Sequence, residues 1–327
     1  MVYRLVIGGK GKLMGKFSRT LAFRLFALGC ILGVTVAIIV WLKSVPHARV
    51  GSLYLSYPAN ASMRFFMIGD SGFGGEGQKR VADVMESRCL AGDLDGIILL
   101  GNNFHPKGVQ SLVDEQWETK LLSYYSGECL GQAPIFPILG SLDYRGTPNM
   151  QVVMTEKLSR WKMPHRYYQV EFGDLVRFVA FDSNSADYCF FESFCSLDFL
   201  LAALKAPGPK WKIVMSHHPL TSSRQGWFRY FESVIGYFIS PLVCEEADVW
   251  VAGRDNLLEH RSLPECGTDF LISGGGGAPL KEFSGGDEKS HFVSDSLGFL
   301  EVEINTKEIK YQFWDDSARL IYSGGRR

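Results

Sequence analysis

The residues best suited to chemistry fall in five short loops: Gly69-Asp70-Ser71-Gly72, Gly101-Asn102-Asn103-Phe104-His105, Gly140-Ser141-Leu142-Asp143, Ser216-His217-His218-Pro219 and Gly253-Arg254-Asp255-Asn256. Asp70, His105, His217 and His218 offer one carboxylate and three imidazoles, ordinary ligands for a single zinc-like ion, and such an ion would activate water. The plainer reading keeps His105 and His218 as hydrogen-bonded residues of the site. Asn102, Ser141 and Asn256 are poor ligands, and Arg254 is not a ligand at all. A fixed guanidinium beside a metal in a partly buried site is strongly unfavourable. No Ser/His or Cys/His nucleophile–base pair stands out, and His218 beside Thr221 and Ser222 is too common a pairing to count.

Each loop follows a short apolar run. Arg64–Ile68, Gly96–Leu100, Pro134–Leu139, Lys212–Ser216 and Asp248–Ala252 read as buried strands. Helical spacing is expected over about 76–89, 111–125, 150–161, 198–206 and an aromatic-rich 228–243. Tyr167–Asp182 reads as a hairpin turning at Gly173-Asp174, and Gly298–Trp314 as a closing hairpin. Phe270–Ser273 is a further strand, followed by the Gly-rich run Gly274–Gly277. Lacking a following lysine, that run reads as a turn and not a phosphate cradle. Strands buried on both faces and separated by helices give a layered α/β fold, with ligands gathering at the carboxyl ends of the strands.

In order and spacing the five loops resemble the purple acid phosphatases, of the tartrate-resistant kind, within the metallophosphoesterase family. The likeness spans about 63–320. Asn103-Phe104 with Gly108-Val109, Arg160-Trp161 before Pro164 and Tyr168, Phe181-Asp182 and Ser273-Gly274 support it. The resemblance implies mixed sheets flanked by helices and a two-metal phosphoesterase centre. It also implies which residues would stand at that centre. Asp70 matches the Asp of the family's GDxG loop and His217 a ligand histidine of its GHYP loop. The bridging Asp corresponds to Asn102, the ligand tyrosine to His105, the ligand asparagine to Ser141 and the substrate-facing histidine to Leu142. Arg254 and Asn256 stand where two more ligand histidines would be. Leucine cannot donate a proton to a leaving alkoxide. The economical reading pairs Arg254 with Asp70, so that an ion pair replaces the metals. Gly69, Gly72, Gly101, Asn103, Gly140, Asp143, Gly253 and Asp255 are kept as loop formers.

The implied function is that of a phosphatase-like pseudoenzyme without cofactor, serving as a binding or scaffold subunit of a membrane assembly. The alternative is an active acid phosphatase with one or two iron, zinc or manganese ions in an altered centre.

Charge and hydropathy concern location. Nine Lys or Arg precede the first acidic residue, Asp70, and from there 25 basic residues face all 35 acidic ones, a formal charge of −10. An acidic body gives no reason to propose nucleic acid as a partner. Residues 25–42 (LFALGCILGVTVAIIVWL) are apolar enough to cross a bilayer, behind a basic tail, 1–24, and ahead of a linker, 43–62. The positive-inside rule puts the N-terminus in the cytoplasm and the domain, 63–327, in a lumen or outside the cell. The run is long for a cleaved signal peptide, and a mitochondrial inner-membrane anchor is the other alternative. Gly29 and Gly33 form a GxxxG pair that chance explains as well as helix packing does. Beyond the span, Cys89, Cys129, Cys189, Cys195, Cys244 and Cys266 are compatible with up to three disulfides of unspecified pairing. Asn60-Ala61-Ser62 is a glycosylation sequon.

Overall fold

The computed structural model describes residues 51–56, 62–184, 190–224, 236–280 and 285–327, with backbone alone for 190–195 and 238. The basic tail, the span 25–42, Asn60 and the aromatic residues Trp227 to Phe231 lie outside the described residues. Among the described residues no helix is long and apolar enough to cross a membrane. One compact unit runs from Arg49 to Arg327.

Two mixed sheets form the centre of this unit. Eight strands run in the order β1 (Ser52–Leu55), β5 (Tyr168–Phe172), β6 (Val176–Phe181), β7 (Trp211–Ser216), β8 (Val249–Ala252), β10 (Asp269–Ser273), β9 (Leu258–Ser262), β11 (Ser290–Ser294). Six run in the order β14 (Leu320–Arg326), β13 (Ile309–Asp315), β12 (Gly298–Ile304), β2 (Met63–Ile68), β3 (Gly96–Leu100), β4 (Ile135–Ile138). In the six-stranded sheet, β2 (Met63–Ile68), β3 (Gly96–Leu100) and β4 (Ile135–Ile138) are parallel neighbours. In the larger sheet, β6 (Val176–Phe181), β7 (Trp211–Ser216), β8 (Val249–Ala252) and β10 (Asp269–Ser273) are parallel. The sheets pack face to face: the Phe65 ring on β2 meets Phe178 on β6 at 4.8 Å and Phe172 on β5 (Tyr168–Phe172) at 5.3 Å, both edge-on. Each such buried ring removes about 2–3 kcal/mol worth of apolar surface from water. Helices α3 (Phe190–Lys205) and α4 (Gly236–Glu246) cover the outer face of the large sheet, Leu200, Leu204, Ile239 and Val243 packing with Val214 and Trp250. Helix α1 (Glu76–Leu90) buries Val81, Val84 and Met85, as its spacing predicts. The layered fold of mixed sheets flanked by helices is therefore present.

The departures from expectation have local causes. The helix expected over 111–125 is only a wide turn at Trp117–Leu122. The Asp114 carboxylate accepts the N–H groups of Gln110 and Gln116 at 2.8 and 3.1 Å, drawing the chain into a turn ahead of it. The helix expected at 150–161 ends early: α2 (Asn149–Val153) is followed by one 3-10 turn, and the Thr155 hydroxyl bonds both backbone groups of Met163. Residues 52–55, read as linker, form β1 (Ser52–Leu55), parallel to β5. The closing hairpin, β12 (Gly298–Ile304) and β13 (Ile309–Asp315), gains a third strand, β14 (Leu320–Arg326). Strands β9 (Leu258–Ser262) and β11 (Ser290–Ser294) carry no apolar run. Buried Glu259 on β9 instead accepts bonds from Arg261, Ser290 and the Ser223 N–H. Among the described residues two disulfides are formed, Cys89–Cys129 and Cys244–Cys266, while Cys189 and the Cys195 side chain lie outside them.

Candidate functional site

The five loops leave the carboxyl ends of β2, β3, β4, β7 and β8, and contacts between backbones draw them together. A Cβ on Gly69 would lie 2.7 Å from the Gly253 Cα, so the small and large sheets touch at their strand ends through two glycines. Gly69 also donates its N–H to the Ser273 carbonyl at 2.7 Å, and Gly276 returns a bond to the Gly69 carbonyl. The Gly-rich run thus serves as a turn against β2. Four residues at ligand-type positions have left-handed backbones: Asp70 (φ 55°), Asn102 (54°), Arg254 (62°) and Asn256 (45°). Among the described residues, Ala318 is the one other non-glycine with positive φ. Such turns cost about 1–3 kcal/mol each and cluster at functional sites. They fall in three of the five loops, the first, the second and the fifth.

The kept loop formers act as the sequence predicts. Buried Asp143 accepts the N–H groups of Gly140 and Asn103 at 2.7 and 3.2 Å and the Gln151 amide at 2.9 Å. Burial nevertheless pushes its carboxyl up to about 6. Asn103 ties its loop to the Ile138 carbonyl and to Gln151.

At the centre, Asn102 donates its amide N–H to Asp70 Oδ1 at 2.6 Å and accepts the Leu142 N–H on its own oxygen at 2.8 Å. The two bonds fix the amide's orientation, because reversing it would set oxygen against carboxylate and nitrogen against N–H. The expected Arg254–Asp70 ion pair is absent: among the described residues no hydrogen bond or ion pair joins them. Asn102 holds Asp70 Oδ1 in its place, and Arg254 lies instead where its charge bears on His217 and His218.

His217 is fully buried and donates Nδ1–H to the Leu100 carbonyl at 2.9 Å, which leaves an electron pair on Nε2. Burial, reinforced by the Arg254 guanidinium, lowers its pKa to about 3. Burial and then the Lys120 ammonium lower that of His105 to about 4. His105 Nε2 lies 3.9 Å from Asp70 Oδ1, but a neutral imidazole makes no ion pair there at ordinary pH. His218 Nδ1 is 2.8 Å from the Ser183 hydroxyl, and Ser183 Oγ also accepts the His218 N–H at 3.2 Å. The same hydroxyl thus meets both the ring and the backbone of His218. Sequence reasoning missed Ser183, although it follows Phe181-Asp182, one of the matching segments. It also missed Tyr144, which donates its hydroxyl to Asp182. Leu142 and Ser141 are half-buried on the third loop, and Asn256 is buried on the fifth. The structure therefore links Asp70 to Asn102, His105 and Leu142, and brings His105 and Arg254 near enough to His217 for both to bear on it.

A two-metal centre does not fit these residues. The space between Asp70 and the bridging position is closed by a direct N–H···O bond, and a fixed cation replaces a ligand imidazole. A single ion fares better in one respect: His105 Nε2 and His217 Nε2 are buried with no hydrogen-bond partner. Among the described residues, however, no group of three or more His, Cys, Asp or Glu side chains is disposed to hold a metal.

No family model matches the chain. It is 27% identical to purple acid phosphatase 3 of Arabidopsis thaliana, over 93% of this chain and 92% of that protein. Among solved structures, GAP50, the anchor in the inner membrane complex of Plasmodium, matches with a TM-score of 0.72 at 25% identity, covering 80% of this chain and 88% of that one. The purple acid phosphatase PPD1 from yellow lupin seeds matches at 0.64 and 17% identity over 82% of this chain and 54% of that one, a likeness of fold alone. The purple-acid-phosphatase resemblance carried by the five loops thus extends over most of the chain, in a degenerate form.

Proposed function

We propose that this chain is a membrane-anchored scaffold or binding subunit built on a phosphatase fold, and that it works without a two-metal centre. The observation that carries the reading is the 2.6 Å bond from Asn102 to Asp70. A carboxylate at position 102 would need a cation or a proton between the two side chains, whereas an amide can donate to Asp70 Oδ1 directly. The likeness to GAP50, named as a membrane-complex anchor, favours the same role by analogy. In this reading residues 25–42 hold the chain in the membrane with its N-terminus cytoplasmic. The folded unit then faces a lumen or the cell exterior, where two disulfides are at home. Its partners are other proteins of the membrane assembly.

Metal analysis of the full purified chain, with hydrolysis of a chromogenic phosphate monoester, tests the reading. Substoichiometric metal and hydrolysis no faster than in Asp70→Ala are expected. Two tightly held metals per chain, or activity that Asp70→Ala abolishes, would sink it.

The partnerless Nε2 atoms of His105 and His217 favour a second reading, an acid phosphatase with one metal. Those two imidazoles and Asp70 would hold one iron, zinc or manganese ion, which supplies a Lewis acid when bound. The Arg254 charge beside His217 opposes that reading.

A further inference from the structure

Arg254 stands at the middle of a tight three-residue turn. The Asp255 N–H donates to the Gly253 carbonyl at 2.8 Å around it, with φ 62° at Arg254 itself. Turns of this sense are rare and strained, and a long side chain at their centre makes them more so. Nothing in the described protein repays that strain. The guanidinium is half-buried, yet among the described residues no hydrogen bond, ion pair or aromatic face receives it. Its five N–H donors are set in a rigid fork that matches the two oxygens of a phosphate or carboxylate group.

Arg254 is not the sole positive charge at the site. Asp70 Oδ1 is engaged by Asn102. The Lys120 ammonium is near enough to depress His105 and is fixed by a bond to the Phe73 carbonyl, adding a second positive charge. In the related phosphatases metal ions would provide the positive charge of such a site; here one side chain can.

We propose that the strand-end site is a metal-independent oxyanion site in which Arg254 binds a phosphate or carboxylate group directly, without turning it over. The inference rests on the scaffold reading and gives that scaffold a recognition chemistry. A free phosphate ion or an acidic side chain of a partner could supply the group.

The test uses the full chain in detergent, stripped with EDTA and titrated in parallel with inorganic phosphate, sulfate and acetate while its melting temperature is followed. A concentration-dependent rise with phosphate or acetate, unchanged by EDTA, is expected. The stronger of the two identifies the source of the group. Arg254→Gly should fold, because glycine suits the turn, and should weaken binding at least about tenfold, the scale of a lost charge-assisted pair. Arg254→Lys, which keeps the charge and loses the fork, should fall between. No rise with either phosphate or acetate, whatever sulfate does, overturns the proposal, as does a rise that survives in Arg254→Gly or that requires added metal. Failure here would leave the scaffold reading standing, since metal content decides that one separately.

Discussion

His217 and His218, adjacent in the chain, are held by different partners: His217 donates Nδ1–H to the Leu100 carbonyl at 2.9 Å, whereas His218 Nδ1 lies 2.8 Å from the Ser183 hydroxyl. One strand end thus fixes two neighbouring imidazoles through separate bonds, and burial disfavours a charge on either.

The depressed pKa values have a consequence for stability with a definite sign. His217 and His105 titrate near 3 and 4 in the folded chain and near 6.5 when unfolded. Between those limits the unfolded state binds more protons, so stability rises with pH there and is lost as pH falls below about 6.5. Asp143, raised to about 6, works in the opposite direction from pH 6 toward its unfolded value and offsets part of the loss. Denaturant titrations at pH 7 and pH 5 should show the chain less stable at pH 5. In His217→Gln the difference should shrink by up to about 2 kcal/mol. An unaltered difference would show that burial does not hold His217 neutral.

Asn102→Asp should place two carboxylates in contact where an amide now donates to Asp70 Oδ1. In EDTA we expect a loss of roughly 1–3 kcal/mol that eases at acidic pH, as one carboxyl takes up a proton. Differential scanning fluorimetry across pH reads it. A variant as stable as the parent in EDTA at neutral pH would mean that the Asn102–Asp70 bond contributes little.

Arg254→Gly should raise the melting temperature or leave it unchanged. Glycine accepts φ 62° without strain, a gain of up to about 1 kcal/mol, and no ion pair to Asp70 is lost. A clear fall would restore the ion pair that the sequence suggests and the structure lacks.

Each disulfide should contribute about 3–4 kcal/mol in the loop-entropy view, the Cys89–Cys129 bridge slightly more because it closes 40 residues against 22. Paired Cys→Ala variants followed by urea denaturation give the order. The reverse order would point to native-state enthalpy as the larger contribution.

The parallel strands and the hairpin at Gly173-Asp174 were legible because they are short apolar runs between turn residues, a pattern that buries only one way. Helix α1 was legible from Val81, Val84 and Met85. Strand β9 was not, since Leu-Glu-His-Arg-Ser buries its charges against partners far away in the chain, and no local pattern marks that. The site followed the same division. Its loops could be placed from glycines and strand ends, and Asp143 and Asn103 do what such residues do in turns. The partner of Asp70 could not be read. A charge count favours Arg254, whereas the choice of Asn102 depends on side-chain direction across two strands. Ser183 escaped because a serine gains meaning here only from the imidazole that the fold brings to it.

The left-handed backbones at Asp70, Asn102, Arg254 and Asn256 bear on what could be built on this chain. Asp and Asn tolerate this region better than other side chains do, whereas Arg254 keeps its turn against the preference of its own. The contacts between Gly69 and Gly253 and between the neighbouring strand ends enforce that shape from outside. Loop geometry is the hardest part of a metal site to design, and here it is already supplied by the architecture. A designer wishing to install a hydrolytic centre would exchange side chains at a handful of positions and leave every loop length alone. The fold is accordingly a ready-made chassis for a catalyst.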